Sequence, residues 1–213
     1  MATPYIRAHH LTQMAHEEDP KTITLPYSTD PIPYEQHYAS KCLEYLEKRL
    51  PPPHSEALLL AVQGQHFRRW EVPRNSYPMT RVGYHAWRTF LKKRQAEQVE
   101  QICLDSGYDK AFAERVGSLI RKEGLGKKMT NGDGNGGEQA EDSEVQVLED
   151  VACLVFLEDQ FEEWEKQAGL EEEKVLGILR RTWAKMSGKG HELALQIQLG
   201  ERGKTLIGKA LAD

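Results

Sequence analysis

Cysteine is scarce in this chain of 213 residues: Cys42, Cys103 and Cys153 stand far apart. Three thiols so scattered exclude a disulfide framework and a cysteine-rich zinc site, and they point to a reducing, cytoplasmic compartment. Long apolar runs are missing too. None nears the roughly 20 residues that cross a bilayer, and the N-terminus has no apolar signal core, so no membrane partner is expected. There is no excess of positive charge either. A formal net charge of −5 excludes a uniformly basic nucleic-acid binder, while 29% charged and 39% hydrophobic residues are the balance of a soluble protein. Alternating strand patterns are absent except for a weak Thr22-Ile23-Thr24-Leu25, and nothing repeats. What remains is an all-α fold.

Residues 1–33 hold five of the ten prolines and show no sustained period, which predicts an extended N-terminal arm. Residues 34–213 are expected to form a single helical domain. Tyr38, Cys42, Tyr45 and Leu46 recur at spacings of three and four in a first helix that Pro51-Pro52-Pro53 ends. Ser55 opens a second helix, read as running from Glu56 to about Arg69, whose Leu58-Leu59-Leu60-Ala61-Val62 core is apolar on most sides. Thr80 is placed to cap a third helix bearing Tyr84, Trp87 and Leu91, and a fourth spans roughly Asp109 to Glu123. Residues 124–143, rich in Gly and Asn, read as a flexible loop because they offer almost nothing apolar to bury. Ser143-Glu144-Val145-Gln146 has the form of a capping box for a long fifth helix through Val151-Ala152-Cys153-Leu154-Val155-Phe156-Leu157. A sixth helix is expected from Glu171 to Ser187, with two short helical stretches after it.

The net charge hides an asymmetry. Residues 61–94 carry eight Lys and Arg against Glu71, a balance of +7, whereas residues 131–173 carry fifteen acids against Lys166. On the third helix Arg81, His85, Arg88 and Lys92 fall within one stripe, and Arg68, Arg69 and Arg74 precede it. Arginine forks suit phosphate and carboxylate, so Arg68, Arg69, Arg74, Arg81 and Arg88 are candidate anion ligands. Tyr77 and Tyr84, with Trp70 and Trp87, interleave with them as candidate stacking surfaces for a base. The alternative is a cationic face that is merely solvated, or one that answers the acidic half within the chain or across a homodimer.

His66 continues the apolar face of Leu59 and Val62, and His85 lies on the basic stripe. Asp150 sits on an apolar stripe with Leu154, Leu157 and Phe161, where a carboxylate must be paired, protonated or bound to metal. Glu149 and Glu158 flank it. Imidazoles and a carboxylate from several helices can hold a divalent ion, which makes His37, His66 and Asp150 candidate metal ligands. His66, His85, Asp150 and Glu149 are the candidate acid–base groups. In the alternative, Asp150 pairs with Arg69 or Arg88 and His66 is a hydrogen-bonded core histidine.

The order His37, His66, His85, Asp150 along successive helices resembles the HD-domain superfamily of metal-dependent phosphohydrolases, and the helix Leu58–Phe67 looks like the one that carries the His-Asp dyad there. Phe67 stands where that dyad has its Asp. The resemblance implies a divalent metal held by His37, His66 and Asp150. The blocks Gln65-His66-Phe67-Arg68-Arg69-Trp70-Glu71-Val72-Pro73-Arg74, Arg81-Val82-Gly83-Tyr84-His85-Ala86-Trp87-Arg88, Leu148–Glu158 and Arg181–Ser187 are similar to a family of small helical proteins, a domain of unknown function labelled glutamyl-tRNA synthetase-like. Lys185-Met186-Ser187-Gly188-Lys189 is itself similar to the Lys-Met-Ser-Lys-Ser loop of class I aminoacyl-tRNA synthetases, which would make Lys185 a phosphate ligand. No His-Ile-Gly-His motif accompanies it and no strand–helix alternation supports a nucleotide-binding sheet, so aminoacylation is not expected.

Together these readings predict an HD-like helical protein that binds a phosphorylated or nucleotide-like anion, with a metal-dependent phosphohydrolase as its catalytic form. The pocket is expected between the second, third and fifth helices. A non-catalytic RNA- or tRNA-binding module, or a protein-interaction module, is the alternative.

Overall fold

Thr3 turns the extended arm into a helix. Its hydroxyl accepts the Ile6 N–H at 3.2 Å and Pro4 pre-sets the first turn, so residues Pro4–His16 form α1. The arm expected over residues 1–33 is therefore helical in its first half. The face α1 buries is Ala8, Thr12, Ala15 and His16, too small and polar to register as hydrophobic periodicity. Thr22–Ile23 and Ile32–Pro33 then pair antiparallel as β1 and β2.

The computed structural model describes residues 2–126 and 143–212, and the fold is all-α apart from that two-residue ladder. Most of the loop expected at 124–143 lies outside the described residues. Among the described residues no helix is long and apolar enough to cross a membrane. The chain divides into two units, Met1–Glu44 with Pro52–Gly124, and Tyr45–Pro51 with Leu125–Asp213, a division that falls inside α2 (Tyr34–Arg49).

In the first unit α3 (Glu56–Gly64), capped by Ser55, is the central element, buried along Ala57, Leu58, Leu60, Ala61 and Val62. It packs against α1, α4 (Arg81–Asp105) and α5 (Lys110–Arg121). The expected helix to Arg69 stops at Gly64 instead. A Cβ there would meet Val99 Cγ2 at 2.7 Å and Ile120 Cδ1 at 3.2 Å, so glycine is what lets α3 close on α4 and α5. Beyond it Arg68 takes a left-handed conformation (φ 48°), and a short 3-10 turn covers Arg69–Glu71. Thr80 caps α4 as expected, and Asp109, where the fourth helix is expected to begin, caps α5.

In the second unit Ser143 caps α6 (Glu144–Val155), whose Val147, Leu148, Val151, Leu154 and Val155 are all buried. The expected single long helix is interrupted by a wider π-type turn, Phe156–Gln160, before α7 (Phe161–Ala168). The sixth expected helix is shorter than read: α8 spans Glu172–Trp183, because Ser187 begins a new helix, α9 (Gly188–Ala194), by accepting the Gly190 N–H at 3.1 Å. α10 covers Glu201–Leu211 and packs on α8.

Candidate functional site

The turn after α3 is held from below by Glu35, in the first turn of α2. Glu35 Oε1 accepts the Arg69 N–H at 3.1 Å, and Arg94 Nη1 donates to the Arg68 carbonyl at 3.3 Å. These bonds offset the cost of a non-glycine residue in the left-handed region, on the order of 1 kcal/mol. Burial pushes the Glu35 carboxyl up to about 7, against the backbone N–H groups of Arg68 and Arg69 that favour the carboxylate. Its other oxygen, Oε2, is buried without a hydrogen-bond partner.

This turn delivers two side chains to one place. The His66 ring stacks on Tyr38 with centroids 4.0 Å apart and planes 11° from parallel. Arg69 Nη1 donates to His66 Nε2 at 2.9 Å, and its guanidinium lies over the Trp87 ring at 4.7 Å. Burial, then the positive charges of Arg69, Arg88 and Lys122, hold His66 well below the usual imidazole range. The ring is neutral, so Nε2 is the acceptor and Nδ1 carries the proton. Burial and Arg88 together lower Arg69 to about 10. Arg88, also half-buried, is thus near enough for its charge to bear on Arg69, and among the described residues neither has a carboxylate partner. Neighbouring like charges partly withdrawn from water repel, and an anion that reaches both relieves that repulsion.

Arg68, Arg74 and Arg94 of the basic segment are engaged. Arg68 pairs with Glu18 at 2.6 Å and with Glu71 at 2.8 Å, and Arg94 also pairs with Glu71. Arg74 donates to the carbonyls of Tyr77 at 3.0 Å and Pro78 at 2.8 Å, bracing the loop that leads into α4. Arg81 and His85 are exposed. Tyr84 is 45% exposed, and its ring lies 6.0 Å from Trp87, edge-on to His85 at 5.7 Å. Tyr77 packs 6.1 Å from Phe90.

The remaining sequence-predicted groups have structural partners. His37 is buried, its ring 6.0 Å from Tyr34. Asp150, in the second unit, has no exposed surface. Its Oδ2 accepts from Arg49 Nε at 2.6 Å and from the Ser187 hydroxyl at 2.5 Å, and its Oδ1 accepts from the Ser187 N–H at 2.8 Å and Gln146 Nε2 at 3.0 Å. The carboxylate is paired, as its apolar stripe requires, and the cation is Arg49, not the expected Arg69 or Arg88. Glu149 meets Lys185 Nζ at 3.7 Å, and Lys189 pairs with Glu192 at 2.8 Å. The lysines of the synthetase-like pentapeptide thus face carboxylates of their own unit.

The metal reading needs grouped donors. Among the described residues no three His, Cys, Asp or Glu side chains are grouped to hold a metal ion. The four donors around the Asp150 carboxylate already occupy it, and His66 spends Nε2 on Arg69, so neither fits an ion as placed. Phe67, at the position of the HD dyad's carboxylate, is a core residue 3% exposed, its ring 5.8 Å from that of His16.

Glu35, Tyr38 and Arg49 escaped the sequence reading. One signal was present: Glu35, Tyr38, Cys42 and Leu46 share a helical face, so Glu35 is a carboxylate on an apolar stripe, as Asp150 is. The family model for the domain of unknown function DUF4202 matches residues 6–207, and the chain belongs to that family. No curated protein and no solved structure matches it.

Proposed function

We propose that this member of the DUF4202 family binds a small anionic metabolite, phosphorylated or carboxylated, between Arg69 and Arg88. One observation carries the reading: Arg69 and Arg88 are two half-buried cations near enough for the charge of one to lower the other, with no carboxylate partner among the described residues, while Arg68 and Arg94 are paired. His66 is a positioning residue in this reading. Its neutral Nε2 takes one Arg69 donor and, stacked on Tyr38, fixes the direction of the others.

Calorimetric titration of the full chain with inorganic phosphate, pyrophosphate and citrate tests it. At least one should bind, with affinity falling at least tenfold in Arg69→Met and in Arg88→Met while Arg81→Met, on the exposed surface, leaves it unchanged. A wild type that binds none of the three, or a loss spread equally over all three arginines, overturns the seat. A short single-stranded RNA bound much more tightly than any of them, with a steep salt dependence, would replace it by the nucleic-acid reading.

A further inference from the structure

The anion seat has an aromatic neighbour whose ring the fold leaves open. Tyr84 and Arg88 are four residues apart on α4, so their side chains rise from the same face about 6 Å apart at Cβ. The Tyr84 ring is close enough to Arg69 to bear on its charge, yet 45% of the residue is exposed. Its orientation is set by Trp87 and His85 and by the Arg74 guanidinium 5.9 Å from its centroid, and Arg74 is anchored on the carbonyls of residues 77 and 78. A lone exposed tyrosine signifies little. One set by these contacts beside Arg69 and Arg88, which have no carboxylate partner among the described residues, is a stacking surface next to an anion site.

We propose that the ligand is a nucleoside monophosphate, its phosphate between Arg69 and Arg88 and its base on the open face of Tyr84. The proposal rests on the anion seat above and deepens it. Tyr84 and Arg88, one helical turn apart on the same face, are placed to take a base and a phosphate joined through one pentose. A phosphate monoester carries close to two negative charges at neutral pH, matching two guanidinium groups beside a neutral His66. A second or third phosphate would need further free cations, and Arg68, Arg74 and Arg94 are committed to carboxylates or carbonyls.

The test is calorimetric titration of the full chain with ribose 5-phosphate, adenosine and the four ribonucleoside monophosphates. The purine monophosphates should bind about tenfold more tightly than ribose 5-phosphate, the scale of one base–aromatic stack, and adenosine not measurably. Tyr84→Ala should erase that tenfold preference and leave the affinity for ribose 5-phosphate unchanged. Tyr84→Trp should restore it, and Arg88→Met should weaken all phosphorylated ligands together. If ribose 5-phosphate and all four nucleotides bind equally, or if Tyr84→Ala weakens ribose 5-phosphate and nucleotides alike, the base site is overturned and the anion seat stands. If no phosphorylated compound binds, the nucleotide falls, and if citrate does not bind either, the anion seat falls with it.

Discussion

A carboxylate with no exposed surface needs its counter-charge inside the protein, and Asp150 has it in Arg49, itself 3% exposed. Ser187 and Gln146 fill the remaining lone pairs, so this pair is fully compensated. Removing one partner strands the other charge. Asp150→Ala or Arg49→Met is expected to destabilise the second unit by about 3–5 kcal/mol, and the double variant Arg49→Met/Asp150→Leu by clearly less than the sum of the two. Urea unfolding of the three proteins checks this; additive losses would show that the pair is not coupled. The same physics makes Arg69 and Arg88 conspicuous, since they are half-buried charges with no carboxylate partner among the described residues. That contrast was half legible in the sequence. The periodicity of residues 81–92 put Arg88 on a basic stripe, and the apolar face of Asp150 demanded a partner. Which cations were already neutralised was not legible, because Glu18 reaches Arg68 from fifty residues away and Arg49 reaches Asp150 from a hundred and one.

At the scale of elements, the helix starts were the legible part, since a cap is a local contract between one side chain and an N–H three residues on. Ser55, Thr80, Asp109 and Ser143 all honour it. Helix ends and interruptions were less legible: α3 stops at Gly64, where α4 and α5 leave no room for a Cβ, and α1 exists on a buried face of alanines, threonine and histidine. The start of α4 depends on a second close approach. A Cβ on Gly83 would collide with the Pro78 carbonyl oxygen and lie 2.9 Å from its carbon, and backbone atoms braced by Arg74 have little room to give. Gly83→Ala is therefore expected to cost about 1–3 kcal/mol, despite alanine's better helix propensity, and to weaken anion binding by tilting the turn that carries Tyr84 and Arg88. The control is Gly208→Ala, where nothing lies within 4 Å and the substitution should be neutral or stabilising. A Gly83→Ala protein as stable as Gly208→Ala would mean the loop yields freely.

At the scale of the molecule, the buried titratable groups of the first unit set how its stability depends on pH. Glu35 has its ordinary carboxyl value, 4.5, raised to about 7 by burial, so between those limits the folded state holds a proton that the unfolded chain has lost, and stability falls as pH rises through that window. His16 acts in the opposite sense. Burial lowers it from 6.5 to about 4, so the unfolded chain binds a proton that the fold refuses, and stability rises with pH from about 4 to 6.5. His66, held well below 6.5 chiefly by burial and the charge of Arg69, adds to that rise. Between about 4.5 and 6.5 these three groups bind two protons in the unfolded chain and one in the fold. Their sum is a gain on the order of 1.4 kcal/mol per pH unit, turning over above pH 6.5, where Glu35 alone still titrates. Glu35→Gln should about double the slope between pH 5 and 6.5, and His16→Gln should flatten it. Unfolding by urea at intervals of half a pH unit separates the three profiles; parallel slopes in wild type and Glu35→Gln would show that Glu35 is ionised throughout, and that the orphaned oxygen beneath Arg69 carries no proton.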